Sequence, residues 1–314
     1  MQKIVITGGL GYVGHELVRQ LAAKGDAELH VIDNLDSGGQ RLQMVPLNAF
    51  KLHIVDIRDR EAVAKAMAEI RPDIVYHLAA IHFIPLCESD PGNAVAVNVS
   101  GTVNMLDATP KGARFVFAST AAVYAPEDDA HVEGKSVERP MDIYGWTKYH
   151  GEQFVRYYHE SGKIDGVIVR LFNVVGSGET NPHLAPAIIE QLDQGDANVK
   201  LGNLFPHRDY IDVSDAAEGF QRLGAAANGG DAPVLSNLGT GRSREVGDVV
   251  KLIARAANID IRIEQDATRV RAVDRPMLKA STDRLKSLTG WVPAIELDQS
   301  MANAWATRAQ DRLS

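Results

Sequence analysis

The chain has 314 residues, 45% hydrophobic and 24% charged, which is ordinary globular usage and enough for one large α/β domain or a medium domain with a smaller one attached. Its net charge of −8 argues against a general nucleic-acid binder, because neutralising phosphates takes a basic surface. No stretch approaches the ~18 consecutive apolar residues of a membrane span, and the single cysteine, Cys87, excludes an intrachain disulfide or a thiolate metal cluster.

The chain opens on MQKIVITGG, a strand that leaves no room for a leader, so a cytoplasmic protein is expected. Apolar, β-rich runs then recur as KIVIT, LHVID, FKLHIVDI, DIVYHLA, ARFVFAST and GVIVRLFN. Between them, GYVGHELVRQLAAKG, REAVAKAMAEI and NAVAVNVSGTVNMLDAT carry apolar residues at three- and four-residue spacing, as helices packed on one face do. Strand and helix in alternation predict an α/β fold, a doubly wound parallel sheet covered by helices. Beyond Asn173 the rhythm changes to Gly- and Pro-containing loops with helices such as LAPAIIEQLDQG and EVGDVVKLIARAAN. Residues 1–172 are therefore read as the sheet domain and 173–314 mainly as a smaller mixed α/β lobe, with 208–240 returning to the sheet.

The first strand runs into Thr7-Gly8-Gly9-Leu10-Gly11-Tyr12-Val13-Gly14 and then a helix. Glycines let the chain turn sharply and approach a pyrophosphate, and the helix start offers unpaired N–H groups to the anion. A plain tight turn would also use them. Asp33 ends the second strand 19 residues after Gly14, where a carboxylate can accept hydrogen bonds from both ribose hydroxyls and repel a 2′-phosphate, which favours NAD over NADP. Asn34 follows it. Asp56 and Ile57, at the end of the third strand, suit contact with adenine, or are a surface acid and its neighbour.

Of eight tyrosines only Tyr144 has a lysine four residues on, Lys148, which on a helix puts both on one face. An ammonium beside a phenol favours phenolate and should lower the tyrosine pKa from about 10 toward a working general base. Upstream, Phe117-Ala118-Ser119-Thr120 puts a hydroxyl at a strand end, able to hold the oxygen of a reacting alcohol near that phenol.

With these residues in view, the chain resembles the extended short-chain dehydrogenase/reductase family, and within it the NAD-dependent nucleotide-sugar epimerase/dehydratase group. The resemblance rests on TGGLGYVG, VYHLAA at 75–80, NVSGT at 98–102, FASTAAVY at 117–124, YGWTK at 144–148, RLFNVVG at 170–176, RDYIDVSD at 208–215 and a late GWVP. It implies a Rossmann-type sheet holding NAD at Gly8, Gly11, Tyr12, Val13, Asp33, Asn34, Asp56 and Ile57. It also implies that Leu78, Ala79 and Ala80 line the cofactor groove, that Asn98 supports the active-site end of the sheet, and that Thr120, Tyr144 and Lys148 are catalytic. For a sugar-nucleotide substrate it implies Asn173, Arg208 and Arg271 at the diphosphate, Asp274 near the ribose, and His183 and Leu184 near the base. His82 is either a substrate contact or a structural loop histidine, and no metal ligand set is expected. Dehydratases of this group follow the catalytic threonine with an Asp-Glu pair. Here Ala121-Ala122 stand there, and alanine moves no proton, so C4 epimerisation through a transient 4-keto sugar is the leading expectation. The rivals are a 4-keto-sugar reductase, a uronic-acid decarboxylase, an epimerase at another carbon, and a non-catalytic NAD-binding regulator. Helices near 93–108 and 145–161 match the pair that forms a four-helix homodimer interface in relatives.

Overall fold

The apolar runs become strands whose alternate residues feed two different cores. In β1 (Gln2–Thr7), Ile4 and Ile6 face one core while Val5 faces the other. The same alternation holds in β5 (Arg114–Thr120), where Val116 lies opposite to Phe115 and Phe117, and in β6 (Asp165–Leu171), where Val167 and Val169 oppose Ile168. Burial on both faces is what a parallel sheet between two helical layers requires. The chain, seen as a computed structural model, is described over residues 1–36, 47–179, 181–195, 197–227, 230–266 and 275–313.

The remaining elements of the first half are α1 (Tyr12–Lys24), β2 (Ala27–Asp33), β3 (Lys51–Ile54), α2 (Arg60–Ile70), β4 (Ile74–His77), α3 (Ile84–Ser89), α4 (Pro91–Val95), α5 (Thr102–Ala108) and α6 (Ile143–Glu160). The second half carries β7 (Asn173–Val175), α7 (Leu184–Asp193), β8 (Asn198–Leu201), β9 (His207–Asp212), α8 (Val213–Gly224), β10 (Val234–Leu238), β11 (Ser243–Glu245), α9 (Val246–Ala257), β12 (Arg262–Gln265), β13 (Met277–Leu278), α10 (Asp283–Thr289) and α11 (Leu297–Leu313). Seven parallel strands form the main sheet in the order β3-β2-β1-β4-β5-β6-β10. The order reverses between β1 and β4, and a crevice opens at the strand ends there, the usual place for a ligand in such sheets.

Leu17, Val18 and Leu21 of α1 share one core with Ala216, Ala217 and Phe220 of α8. The opposite face buries Val63, Met67 and Ile70 of α2, Met105 and Leu106 of α5, and Val155 of α6. Each fully buried side chain of this kind contributes about 1.5–3 kcal/mol. A third core joins Ile188 and Leu192 of α7, Val249 and Ile253 of α9, and Met301 of α11. Around it, β9 pairs with β7, β11 and β13, and β8 pairs with β12.

The segment 208–240 divides between the two sheets. Its first strand belongs to the small sheet, whereas α8 packs on α1 and β10 becomes the edge strand beside β6. The helix read across 93–108 is also interrupted: a π-helical turn at Ala96–Gly101 separates α4 from α5. A side chain on Gly101 would come within 2.6 Å of Ile57, so the turn lets this segment close on the end of β3.

Candidate active site

A single cavity of about 950 Å³ follows the crevice from the glycine turn to Arg208 on β9. The turn forms because nothing larger fits. Gly8 has φ of +65°, and a Cβ there would lie 2.8 Å from the Ala79 backbone; a Cβ on Gly14 would lie 2.0 Å from the Gly8 carbonyl oxygen. Gly11 is the N-cap of α1 without a side chain to cap it, so the helix start is left to the crevice, together with Tyr12 and Val13. Asp33 ends β2 beside this turn. Its Oδ2 accepts from Leu10 N at 3.0 Å and its Oδ1 from Leu35 N at 2.9 Å, which aims the carboxylate at the cavity with lone pairs to spare.

Asn34, Asp56 and Ile57 line the next stretch. Asp56 is committed within the protein: it accepts from Arg58 Nη2 at 2.6 Å, Arg58 Nε at 2.9 Å and Asn34 Nδ2 at 3.1 Å. The Arg58 guanidinium holds its carboxyl well below the usual carboxylate range. Leu78, Ala79 and Ala80 form the floor after β4. The cradle, the open helix start and the aimed carboxylate together fit the pyrophosphate and ribose of a dinucleotide.

Asn98 is placed differently from the other residues of this set. It is buried behind the floor, accepting from Ile81 N at 2.8 Å and donating to Ile81 O at 2.8 Å and to Thr147 Oγ1 at 3.0 Å. It braces the loop after β4 against α6 and does not line the cavity.

Thr120 is the last residue of β5, and Tyr144 and Lys148 lie on the first two turns of α6. Asp142 caps this helix by accepting from Gly145 N at 2.7 Å. The helix start presses on the turn after Thr120, since a Cβ on Gly145 would be 2.6 Å from the Ala122 carbonyl oxygen. That close approach brings the Tyr144 phenol beside the Thr120 hydroxyl. Lys148 is 2% exposed and donates to Ala118 O at 2.8 Å.

The electrostatics differ from the sequence expectation. Burial pushes the Tyr144 phenol above its ordinary range, and the Thr120 hydroxyl works the other way. Burial likewise pushes Lys148 down, to about 7. A lysine that is half neutral near pH 7 exerts little field on its neighbour, so in the protein alone Lys148 does not lower the tyrosine pKa.

Asn173, His82, His183 and Arg208 also line the cavity. Asn173 Oδ1 is buried with no hydrogen-bond partner among the described residues, a sign of a ligand group that completes it. Arg208 donates through Nη1 to His207 O and to Arg275 O, at 2.9 and 2.7 Å. Leu184 turns away and packs against the third core. Arg271 and Asp274 lie outside the described residues. Ala121 and Ala122 line the cavity, and Cys87 is a buried free thiol whose sulfur donates to Ile81 O.

Three features of the site went unread in the sequence. Arg275 faces the cavity, donating to Asp142 Oδ2 at 3.1 Å through both terminal nitrogens and to Ala122 O at 3.0 Å, so it ties the small sheet to the start of α6. Glu152, on α6, is fully buried between Ser119 Oγ at 2.5 Å and Arg170 at 2.6 and 2.9 Å. Glu179 and Asn181 also line the cavity. The only advance signal was Glu152 itself, one turn beyond Lys148 on the same helix face.

A parallel sheet with a glycine cradle at its switch point, and Thr120, Tyr144 and Lys148 at the same crevice, fit a dinucleotide-dependent enzyme. The model of the NAD dependent epimerase/dehydratase family matches residues 4–239, and the chain belongs to that family. It is 30% identical to a UDP-glucose 4-epimerase of Rhizobium meliloti, over 96% of this chain and 95% of that protein. It is 26% identical to a GDP-6-deoxy-D-mannose reductase of Pseudomonas aeruginosa, over 99% of each. The crystal structure of Thermus thermophilus UDP-glucose 4-epimerase in complex with NAD superposes with a TM-score of 0.85 at 28% identity, covering 97% of this chain and 98% of that one. Among the described residues no helix is long and apolar enough to cross a membrane.

Proposed function

We propose that the protein is an NAD-dependent nucleotide-sugar epimerase that inverts C4 through a transient 4-keto sugar. The observation that carries this reading is Thr120, Tyr144 and Lys148 gathered in the same cavity as the glycine cradle and Asn173, in a chain similar along its whole length to 4-epimerases. When bound, NAD supplies a two-electron acceptor that takes a hydride from the sugar carbon and gives it back. The turn at Gly8 and Gly14 with the start of α1 would hold its pyrophosphate, Asp33 its adenine ribose, and Lys148 its nicotinamide ribose.

The chain's own groups do the proton work. Thr120 Oγ1 orients the sugar C4 oxygen, and the Tyr144 oxygen takes the C4 hydroxyl proton and later returns it. The Thr120 hydroxyl beside it works to bring the phenol down from its raised value, and the positive charge that oxidised nicotinamide would supply acts in the same direction. Asn173, through its amide N–H, and Arg208 hold the diphosphate, with Arg271 and Asp274 assigned to the same end of the substrate. Anchoring at the diphosphate lets the sugar present its other face before the hydride returns. Neither Ala121 nor Ala122 can carry a proton, so elimination of water toward C6 has no acid and base there.

Incubating the purified protein with UDP-, GDP-, CDP- and dTDP-hexoses and following the products by NMR tests this. A C4-inverted product that keeps its C6 hydroxyl, with no added cofactor consumed, is expected; a 4-keto-6-deoxy product would refute it. Stoichiometric consumption of NADH or NADPH would instead favour the reductase reading suggested by the Pseudomonas aeruginosa relative.

We also propose a homodimer through α4–α5 and α6. These helices pack together and leave Val95, Trp146 and Tyr157 exposed. Sedimentation as a monomer at assay concentrations would refute it.

A further inference from the structure

His82 reaches the mouth of the cavity from the loop after β4, while Glu179 and His183 reach it from the segment between β7 and α7. One donor atom from each lies within 4.8 Å of the others. The two imidazole rings stand 5.7 Å apart, centre to centre, at 37°. We propose that His82, Glu179 and His183 form a site for a divalent transition-metal ion of the zinc class, bridging the two sides of the cleft.

Two imidazoles and one carboxylate, with a position left open, are a donor set zinc takes, whereas magnesium and calcium prefer all-oxygen sets. With metal–ligand distances of about 2.0–2.2 Å, tetrahedral donors stand about 3.3 Å apart, so each donor here needs to move inward by about 1 Å or less. That is within the reach of side-chain rotation on the loops that carry them.

The surroundings of His82 are those of a ligand. Asn181 Nδ2 donates to His82 Nε2 at 3.3 Å, so the ring proton sits on Nδ1. The Asn181 bond is long and readily exchanged for a shorter bond to a metal. On Glu179, both bonds donated by Asn181 fall on Oε1, at 2.8 and 3.2 Å, which leaves Oε2 for an ion. His183 is the N-cap residue of α7, whose positive end disfavours a cation; the Glu179 carboxylate is the group that offsets it.

The site rests on the cleft's geometry and not on the proposed reaction. Because its donors line the cavity that holds Tyr144, a bound ion would fasten the segment before α7 to the main sheet and share space with the sugar nucleotide. The test is calorimetric titration of untagged, chelator-dialysed protein with zinc chloride, with cobalt chloride as a spectroscopic probe. One saturable site per chain is expected, with visible cobalt bands of nitrogen and oxygen coordination. Glu179→Gln and His183→Asn should each weaken zinc by about tenfold or more, while His150→Asn, on the exposed side of α6, should not. Circular dichroism without metal shows whether each variant is folded, and His82→Asn provides a third removal should one of the others fail to fold. Absence of saturable binding, or binding that survives every folded removal, would overturn the site.

Discussion

Replacing Lys148 with methionine should make the nucleotide-free protein more stable while destroying its activity. Lys148 is buried, and burial carries its pKa from 10.5 to about 7, a gap that corresponds to about 4–5 kcal/mol. Methionine keeps the length and packing of the side chain but removes that cost. Against it stands the hydrogen bond to Ala118 O, whose loss costs about 1–3 kcal/mol if the carbonyl is left unpaired. The net gain at pH 7 should be about 1–3 kcal/mol.

The sign with pH follows from linkage. The unfolded chain keeps its proton up to pH 10.5, whereas the folded chain gives it up near 7. The penalty is therefore complete below about pH 7, and the parent protein gains stability as pH rises from there. The advantage of the variant should shrink by about 2–3 kcal/mol between pH 6 and pH 9. Urea unfolding of nucleotide-free parent and variant at several pH values measures both quantities. A variant less stable than its parent at pH 7, or a difference that stays flat with pH, would refute the burial argument.

Asp33→Ala should weaken NAD by about 10- to 100-fold, the worth of hydrogen bonds to a charged group, and narrow the preference over NADP; calorimetry showing that the unmodified protein prefers NADP would contradict this. Gly14→Ala drives a Cβ to 2.0 Å from the Gly8 carbonyl oxygen, so it should cost about 3 kcal/mol in unfolding and empty the cofactor site. Protein that purified with undiminished nucleotide content would show that the turn has room the structure does not display.

Local patterns make the fold legible in the sequence, together with the glycine turn and the Tyr144–Lys148 pair of the candidate site. The two-residue period of KIVIT and GVIVRLFN dictates which side chains face which core, and the glycine turn and the Tyr144–Lys148 spacing are set by single helical turns. What depends on chain segments far apart was not legible. Arg275 meets Asp142 across 133 residues, and Glu179 and His183 meet His82 across the crevice, with no periodicity to announce either. Asn98 was read in the right neighbourhood, but its direction depends on the π-helical turn, which a helical pattern in sequence conceals. The Lys148 effect on Tyr144 failed for a related reason: spacing places two charges side by side, while burial decides whether they are charged at all.

The most direct test of the account follows a C4-deuterated sugar nucleotide through the parent enzyme and through Tyr144→Phe. The substitution keeps the ring and deletes the phenol oxygen beside Thr120, so turnover should fall by about 10² to 10⁴ while NAD content and the unfolding midpoint hold. In the parent, deuterium should return to C4 of the inverted product, since the hydride never leaves a retained cofactor. Deuterium released into free NADH, alongside undiminished turnover by Tyr144→Phe, would contradict both the catalytic assignment and the retained-cofactor epimerisation.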